Sequence, residues 1–215
     1  MCIRNLHRVV ASALFFAAIA TTASAQTDVA LSFFGTFSGS AQLNSSEQQS
    51  PASQAGGMIE LRHIANPLIG FEATYSFNRA NQKYSPSVIC FLGPPMPGGC
   101  AFPPISANAH EGTADWIPSM RLAKLRVFGV VGAGVLATVP EGIPPFPQPS
   151  AQPSTSTRAV YVYGAGVDWP LLARLGLRAQ FRGNVYRDPN LMSDYGTSNS
   201  FLHTAEPMIG AYFRF

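Results

Sequence analysis

The segment IGFEATYSFN, residues 69–78, decides the class of fold that this sequence predicts. Its residues alternate strictly between two faces. One face carries Ile69, Phe71, Ala73, Tyr75 and Phe77. The other carries Gly70, Glu72, Thr74, Ser76 and Asn78. A period of two is the period of a β-strand, so this segment predicts a strand that separates an apolar environment from a polar one.

Seven further segments alternate in the same way, although the second face of residues 125–137 is less polar. The eight predicted strands are residues 29–37, 58–64, 69–78, 110–117, 125–137, 159–169, 174–186 and 203–215. Their connections alternate as well. Three are short, at residues 65–68, 118–123 and 170–173. Four are long, at residues 38–55, 79–108, 140–157 and 187–201. Short turns at one end and long loops at the other are typical of outer-membrane β-barrels.

The physics of a bilayer gives the same answer as this pattern. Hydrocarbon offers no hydrogen-bond partners to backbone amides and carbonyls, so a sheet that crosses it must close on itself. Each crossing strand needs about 9–11 residues, which fits the predicted segments. We therefore predict an all-β protein, an eight-stranded antiparallel up-and-down transmembrane β-barrel with its short turns on the periplasmic side.

The N-terminal residues predict a secretory signal peptide. Arg4 and Arg8 precede an apolar run, and small residues ending at Ala25 supply a cleavage site. The apolar run is too short for a membrane anchor, the alternative interpretation. We predict a cleaved signal over 1–25 and one barrel domain over 26–215. Loss of the two arginines lowers the formal net charge from +3 to +1, which does not indicate a nucleic-acid partner.

Three aromatic residues fall at one level of the predicted barrel. Trp116, Trp169 and Phe215 lie at or next to the ends of the fourth, sixth and eighth strands, and all three belong to the outward face. Aromatic rings collect at the interfaces of a membrane because they have an apolar body and a polar edge. We therefore predict an aromatic girdle at the periplasmic interface.

Three stretches carry a resemblance to a known family. YGAGVDWPL (163–171), LRAQFRGNVY (177–186) and AEPMIGAYFRF (205–215) resemble the small OmpA-like outer-membrane barrel domains of Gram-negative-type bacteria. The resemblance implies a barrel domain without the peptidoglycan-binding domain of OmpA. It also implies that the last strand is read by the barrel-assembly machinery. The corresponding residues here are Ile209, Ala211, Phe213 and Phe215. Pro207 interrupts the ladder of this strand and predicts a bulge or a weak point.

Charged residues on the inward face predict an ionic layer inside the barrel. Counting across the short turns sets Arg62 opposite Glu72. The same count sets Asp115 opposite Arg126, and Gly166 beside Arg178. An eight-stranded barrel is only wide enough for side chains to fill it, so the layer should block the lumen toward its periplasmic end. Its predicted members are Arg62, Glu72, Asp115, Arg126, Arg178, Arg182 and Glu206.

Four functional classes fit this pattern. The first is a structural or surface-recognition barrel whose four long extracellular loops meet an unknown ligand. The second is a narrow pore or small-molecule carrier, and the third is a lipid A-modifying enzyme. The fourth is a soluble lipocalin-like barrel with its apolar face inside. The loops are rich in Ser, Gln and Pro, which predicts solvated, poorly ordered segments without a recognisable binding motif.

No residue pattern predicts catalysis, a cofactor or a metal. His63, His110 and His203 belong to the outward face near strand ends, where an amphipathic ring suits the membrane interface. Lipid A deacylases also use an eight-stranded barrel, with a membrane-facing His-Ser-Glu arrangement. The His-x-Ser pattern of that family is missing here, because Gly112 and Ala205 stand where the serine would be. The expected partners are outer-membrane lipid and, during biogenesis, the assembly machinery.

We predict a disulfide between Cys90 and Cys100 in the second long loop. The two cysteines lie ten residues apart in an exported chain, and oxidising compartments favour disulfides. Such a small closed loop adds about 2–3 kcal/mol of local constraint, so the barrel should survive its loss. Thiol titration of the unreduced mature protein should find no free thiol. Two reactive thiols per chain would contradict the prediction.

Overall fold

The computed structural model describes residues 25–39, 41–44, 47–51, 53–86, 106–142, 153–189, 191 and 200–215. Residues 1–24 and both Cys90 and Cys100 lie outside these ranges. The signal peptide and the disulfide therefore stay predictions. No helix in the described ranges is long and apolar enough to span a bilayer.

Twelve strands make up the regular structure of the described residues. They are β1 Gln26–Ser38, β2 Ala41–Asn44, β3 Glu47–Pro51, β4 Gln54–Ile64, β5 Gly70–Arg79, β6 Gln82–Pro86, β7 Ala107–Trp116, β8 Ser119–Leu122, β9 Leu125–Pro140, β10 Ser156–Pro170, β11 Leu175–Arg187 and β12 Phe201–Arg214. The eight long strands match the eight predicted segments, with ends that differ by a few residues.

The long strands close into a barrel. Each pairs antiparallel with its neighbours in the order β1, β4, β5, β7, β9, β10, β11 and β12. The last strand then returns to the first, with Val29 opposite Phe213 and Phe33 opposite Ile209. The predicted eight-stranded up-and-down barrel is therefore confirmed.

The connections have more structure than the sequence predicts. The second short connection contains β8, which extends the hairpin into β9 with Leu122 opposite Leu125. On the opposite end, β2, β3 and β6 form a separate three-stranded antiparallel sheet. The Ser- and Gln-rich composition of residues 38–55 does not indicate β2 and β3. Strand β6 belongs to the next long connection, so its pairing with β3 is non-local and leaves no local pattern.

The two faces of the barrel wall have opposite chemistry. Large apolar side chains face outward along every long strand, and Phe33, at 68% exposure, shows how open this face is. The same holds for β9, whose second face is less polar, since Val131 and Val135 are exposed. Inward positions include Asp28, Glu60 and Arg62, all with no exposed surface. A soluble lipocalin-like barrel would have the reverse arrangement, so that alternative is wrong.

The lumen is not polar throughout. A buried apolar cluster lines the side formed mainly by β7, β9 and β10. Its members are Ala109, Ile117, Phe128, Val130, Leu136, Val160 and Val162. The interior thus combines an apolar cluster on one side with charged side chains from all around the wall, including β7, β9 and β10.

The three predicted girdle residues lie at the short-turn end and point outward. Trp116 and Trp169 are about half exposed, and the Trp116 indole Nε1 donates to the backbone oxygen of Leu68 at 2.7 Å. Phe215 is 73% exposed, and its ring meets Phe213 edge-on at 5.4 Å between centroids. Trp116 thus fits an amphipathic ring at a membrane interface, with its polar edge satisfied and its ring outside.

Pro207 interrupts the ladder but produces no bulge. Strand β12 keeps one register with β11, and Pro207 lies opposite Phe181. On the side of β1, the paired positions skip Gly35 and Thr36 and then resume in the same register. Since proline has no amide hydrogen, it removes a ladder bond without shifting the strand. Of the two predicted outcomes, the structure has the weak point rather than the bulge, and the interruption lies in the ladder with β1.

We expect Phe215→Ser to reduce assembly of the barrel far more than it weakens the folded barrel. The Phe215 ring is exposed, whereas its backbone amide still closes the sheet by donating to the Thr27 oxygen at 3.0 Å. The measurements are the amount of assembled protein in the outer membrane and the yield of refolding in vitro. Phe71→Ser, which changes an exposed ring at the same end, is the matched control. Equal membrane levels of the Phe215→Ser and parent proteins would contradict the prediction.

Candidate functional site

A cluster of eight charged side chains crosses the lumen toward the short-turn end. We call it the ionic cluster. Its members are Asp28, Glu60, Arg62, Glu72, Asp115, Asp168, Arg178 and Arg182. The three guanidinium groups are fully buried, and each contacts carboxylates from other strands. Buried charges are tolerated when they are paired and hydrogen-bonded, so the cluster depends on being complete.

Arg62 joins opposite walls of the barrel. The structure places it opposite Glu72 in the β4–β5 ladder, and its Nε donates to Glu72 Oε2 at 2.5 Å. Its Nη1 lies 3.4 Å from Asp168 Oδ2, on strand β10 across the lumen. The Arg62 guanidinium also stacks on the Phe128 ring, with 4.0 Å from Cζ to the ring centroid. This contact adds a cation–π interaction in a desolvated site.

Arg178 has the largest number of close carboxylate partners. Its Nε donates to Asp168 Oδ1 at 2.8 Å, and its Nη1 to Glu60 Oε2 at 2.6 Å. Its Nη2 donates to Asp28 Oδ1 at 2.9 Å. Strands β1, β4, β10 and β11 therefore meet at one planar guanidinium. The fixed fork of an arginine suits such multiple contacts, which a lysine would not reproduce.

Arg182 is the member of the ionic cluster nearest to the long-loop end. Its Nη1 donates to Asp115 Oδ2 and its Nη2 to Thr113 Oγ1, both at 3.1 Å. Weaker contacts reach Glu72 at 3.7 Å and Glu111 at 3.9 Å. The predicted residues Arg62, Glu72, Asp115, Arg178 and Arg182 are thus brought together.

The predicted pair of Asp115 with Arg126 is wrong. Leu122 and Leu125 face each other, so the turn is centred on Ala123 and Lys124. Pairing Asp115 with Arg126 requires a centre at Met120 and Arg121, three residues earlier. Asp115 therefore lies opposite Gly132, where an added Cβ would overlap the Asp115 side chain. Arg126 instead donates to Gln26 Oε1 and forms no ion pair within the described residues.

The prediction for Gly166 is wrong for a similar reason. Arg178 lies opposite Asp168, and Gly166 lies opposite Gln180. The space above Gly166 is filled by the Phe128 ring, which an added Cβ would meet. The absence of a side chain at Gly166 thus makes room for the Phe128 ring, which contacts Arg62, and not for the long side chain of Arg178.

Glu206 lies outside the ionic cluster, although it was predicted to belong to it. It is opposite Arg182 in the β11–β12 ladder, yet it forms no ion pair in the part of the chain that the structure describes. Asp28, Glu60 and Asp168 were missed as members. Each has the inward parity of its strand, so the alternation that found Arg62 and Glu72 could also have found these acids.

A cavity lies at each end of the lumen, with the ionic cluster between them. The cavity at the long-loop end has a volume of about 40 Å³ and is lined by Glu111, Asn184 and Glu206. The cavity at the short-turn end has a volume of about 190 Å³ and is lined by Arg121, Arg126 and other residues. Because the buried charged side chains of the ionic cluster fill the lumen between them, the two cavities are separate compartments rather than one channel.

The three outward histidines pair with hydroxyl groups on neighbouring strands. His63 Nδ1 lies 2.9 Å from Thr27 Oγ1, and His110 Nδ1 lies 2.8 Å from the Tyr75 hydroxyl. His203 Nε2 contacts the Tyr163 hydroxyl. Three or more His, Cys, Asp or Glu side chains in a metal-binding group do not occur in the described ranges.

Comparison with solved structures shows the fold. Neisserial surface protein A matches with a TM-score of 0.54 and 12% identity, over 90% of this chain and all of that one. Ail of Yersinia pestis matches at 0.48 and 14%, over 90% of this chain and all of its own. OprG of Pseudomonas aeruginosa matches at 0.48 and 11%, over 88% and 96%. No protein-family model and no curated protein matches the sequence.

The chain has the fold of the small eight-stranded outer-membrane β-barrels. The resemblance to OmpA-like barrels is thereby confirmed at the level of the fold. The outward face of this barrel is apolar, and the ionic cluster fills the interior that water would occupy in a wider barrel.

Glu72→Ala should destabilise the barrel by about 3–5 kcal/mol, because it removes one partner of a buried ion pair and leaves the other charged. Removing Arg62 as well should restore part of that loss, so the double variant should lose less than the sum of the single losses. Urea unfolding in detergent micelles measures each free energy of unfolding.

Glu141→Ala is the control for this cycle, since Glu141 is exposed beyond β9 and its loss should leave the free energy of unfolding nearly unchanged. Strict additivity of Arg62→Ala and Glu72→Ala would show that the two residues do not interact.

Proposed function

We propose that this protein is an integral outer-membrane barrel with a closed lumen and a structural or surface-recognition role. It is exported with a cleaved signal peptide and inserted by the barrel-assembly machinery. The short turns face the periplasm, and the long connections face outward. These connections, rather than the lumen, contact an extracellular ligand.

The ionic cluster carries the proposal of a closed lumen. Arg178 and Arg62 have no exposed surface, and between them they reach carboxylates on β1, β4, β5 and β10. Phe128 packs against Arg62 from the apolar wall. A permeating ion would have to separate these pairs, and breaking one buried pair costs about 3–5 kcal/mol.

The sheet of β2, β3 and β6 supports an outward role for the long connections. It joins the first long connection to the second through the register of β3 with β6, where Gln49 lies opposite Tyr84. The strand pairing fixes the backbone of the paired residues in both connections. A partly ordered surface of this kind suits recognition, because less conformational entropy is lost when a partner binds.

Two alternatives receive less support. A narrow pore would need a continuous water path, and the two cavities are divided by the ionic cluster. A lipid A-modifying enzyme would need a catalytic group on the lipid face. A nucleophile activated by a base also needs a third group that orients the base. The hydrogen bonds of the outward histidines join them to the hydroxyl groups of Thr27, Tyr75 and Tyr163, and these pairs do not include such a third group.

Conductance in a planar lipid bilayer tests the closed lumen. The purified barrel should give no steady open level, whereas Arg178→Ala should give openings because Asp28, Glu60 and Asp168 lose their shared partner. Arg121→Ala, at the exposed rim of the short-turn end, is the control and should stay closed. A steady large conductance in the unmodified barrel would refute the closed lumen and favour the pore.

A further inference from the structure

The cavity at the long-loop end, which we call the vestibule, is acidic at its base. Glu111 of β7 and Glu206 of β12 line it from opposite walls, and both are nearly buried. Thr36, Thr204 and Tyr186 contribute hydroxyl groups to its sides. Every one of these lining groups offers an oxygen atom, which is the ligand type that hard cations prefer.

The carboxylates of the vestibule have a single ion-pair contact among the described residues, from Arg182, because Arg79, which also lines the cavity, pairs with neither of them. Arg182 is 3.9 Å from Glu111 but lies closer to Asp115, at 3.1 Å. Glu206 has no ion pair, and its Oε2 has no hydrogen-bond partner in the described part of the chain. Across the described residues, eight acidic side chains but only four arginines are buried. A carboxylate that is 5% exposed is costly to hold without a counter-charge.

Asn184 gives an independent sign that a ligand belongs in the vestibule. Its Nδ2 donates to both oxygens of Glu111, at 3.3 and 3.1 Å. These bonds fix the amide, so that Oδ1 points away from Glu111. That oxygen has no hydrogen-bond partner, although the residue is only 1% exposed and lines the cavity. The Asn184 Oδ1 atom is buried, held in one orientation and without a hydrogen-bond partner, and it lies beside two carboxylates. Such an oxygen is suited to bind a cation.

We infer that the vestibule binds one partly hydrated divalent cation, Ca²⁺ or Mg²⁺, through Glu111, Glu206 and the Oδ1 of Asn184. Two carboxylates balance its charge, and the amide oxygen and water supply further ligands. A volume of about 40 Å³ holds a few water-sized groups, which suits an ion that keeps part of its hydration shell. The site lies above the ionic cluster and does not depend on whether the lumen conducts.

Terbium luminescence tests the site in the full mature barrel. Tb³⁺ replaces Ca²⁺ at oxygen sites and emits when a nearby tyrosine is excited, and Tyr186 lines the vestibule. The chelator-treated barrel in zwitterionic detergent should show saturable Tb³⁺ emission that Ca²⁺ or Mg²⁺ displaces at constant KCl. Tyr186→Phe should reduce the emission at saturating Tb³⁺, because it removes the phenol that sensitises the ion.

Glu206→Gln and Glu111→Gln keep the shape of each side chain and remove its charge. Each should weaken Ca²⁺ binding by about tenfold or more, because loss of even an outer-shell partner weakens metal binding by about 10–100-fold. Glu141→Gln makes the same change at an exposed position at this end of the barrel and should bind like the parent. Gel mobility with and without heating checks that each variant is folded.

Two results would overturn the proposal. The first is an absence of saturable Ca²⁺ and Mg²⁺ binding by the parent barrel, which would mean that Glu111 and Glu206 are neutralised by a proton. The second is binding that Glu206→Gln and Glu141→Gln change equally, which would place the ion elsewhere. If a variant does not fold, the Tyr186→Phe emission still decides, since unchanged emission excludes the vestibule.

Discussion

Closure of the sheet is the constraint on which the rest of this structure depends. A backbone in hydrocarbon must satisfy its own hydrogen bonds, and the pairing of β1 with β12 leaves the barrel wall without an edge. Closing only eight strands leaves an interior too narrow for bulk water. Polar side chains facing inward must therefore satisfy one another, and Arg178 with its three carboxylate partners is the outcome.

The alternation of residues was sufficient to predict the architecture and the face of each side chain. Arg62 and Glu72 were also paired in advance, because the turn around Asn66 and Pro67 carries clear sequence signals. The turn at Ala123 carries no such sequence signal. It adopts a φ of 55°, a conformation that usually selects glycine or asparagine, so the sequence gives no indication that the chain turns there.

The misplaced turn centres gave wrong cross-strand partners, but each side chain still lies on the predicted face of the sheet. Moving a turn centre by three residues shifts the opposite position by six, and an even shift preserves the side of the sheet. Asp115 thus points inward as predicted, although it meets Arg182 from another strand rather than Arg126. Contacts across the lumen depend on the tilt and stagger of the whole barrel, which no single hairpin determines.

The gap that Pro207 leaves in the ladder makes one boundary of the barrel different from the other seven. The unpaired positions Thr36 and Glu206 of this seam both line the vestibule. A ligand held between Glu206 and Glu111 would tie the seam to β7, the strand diametrically opposite. Separation of the strands would then begin at the seam and would have to release that ligand. A ligand in the vestibule would therefore oppose opening of the β1–β12 pairing that closes the barrel.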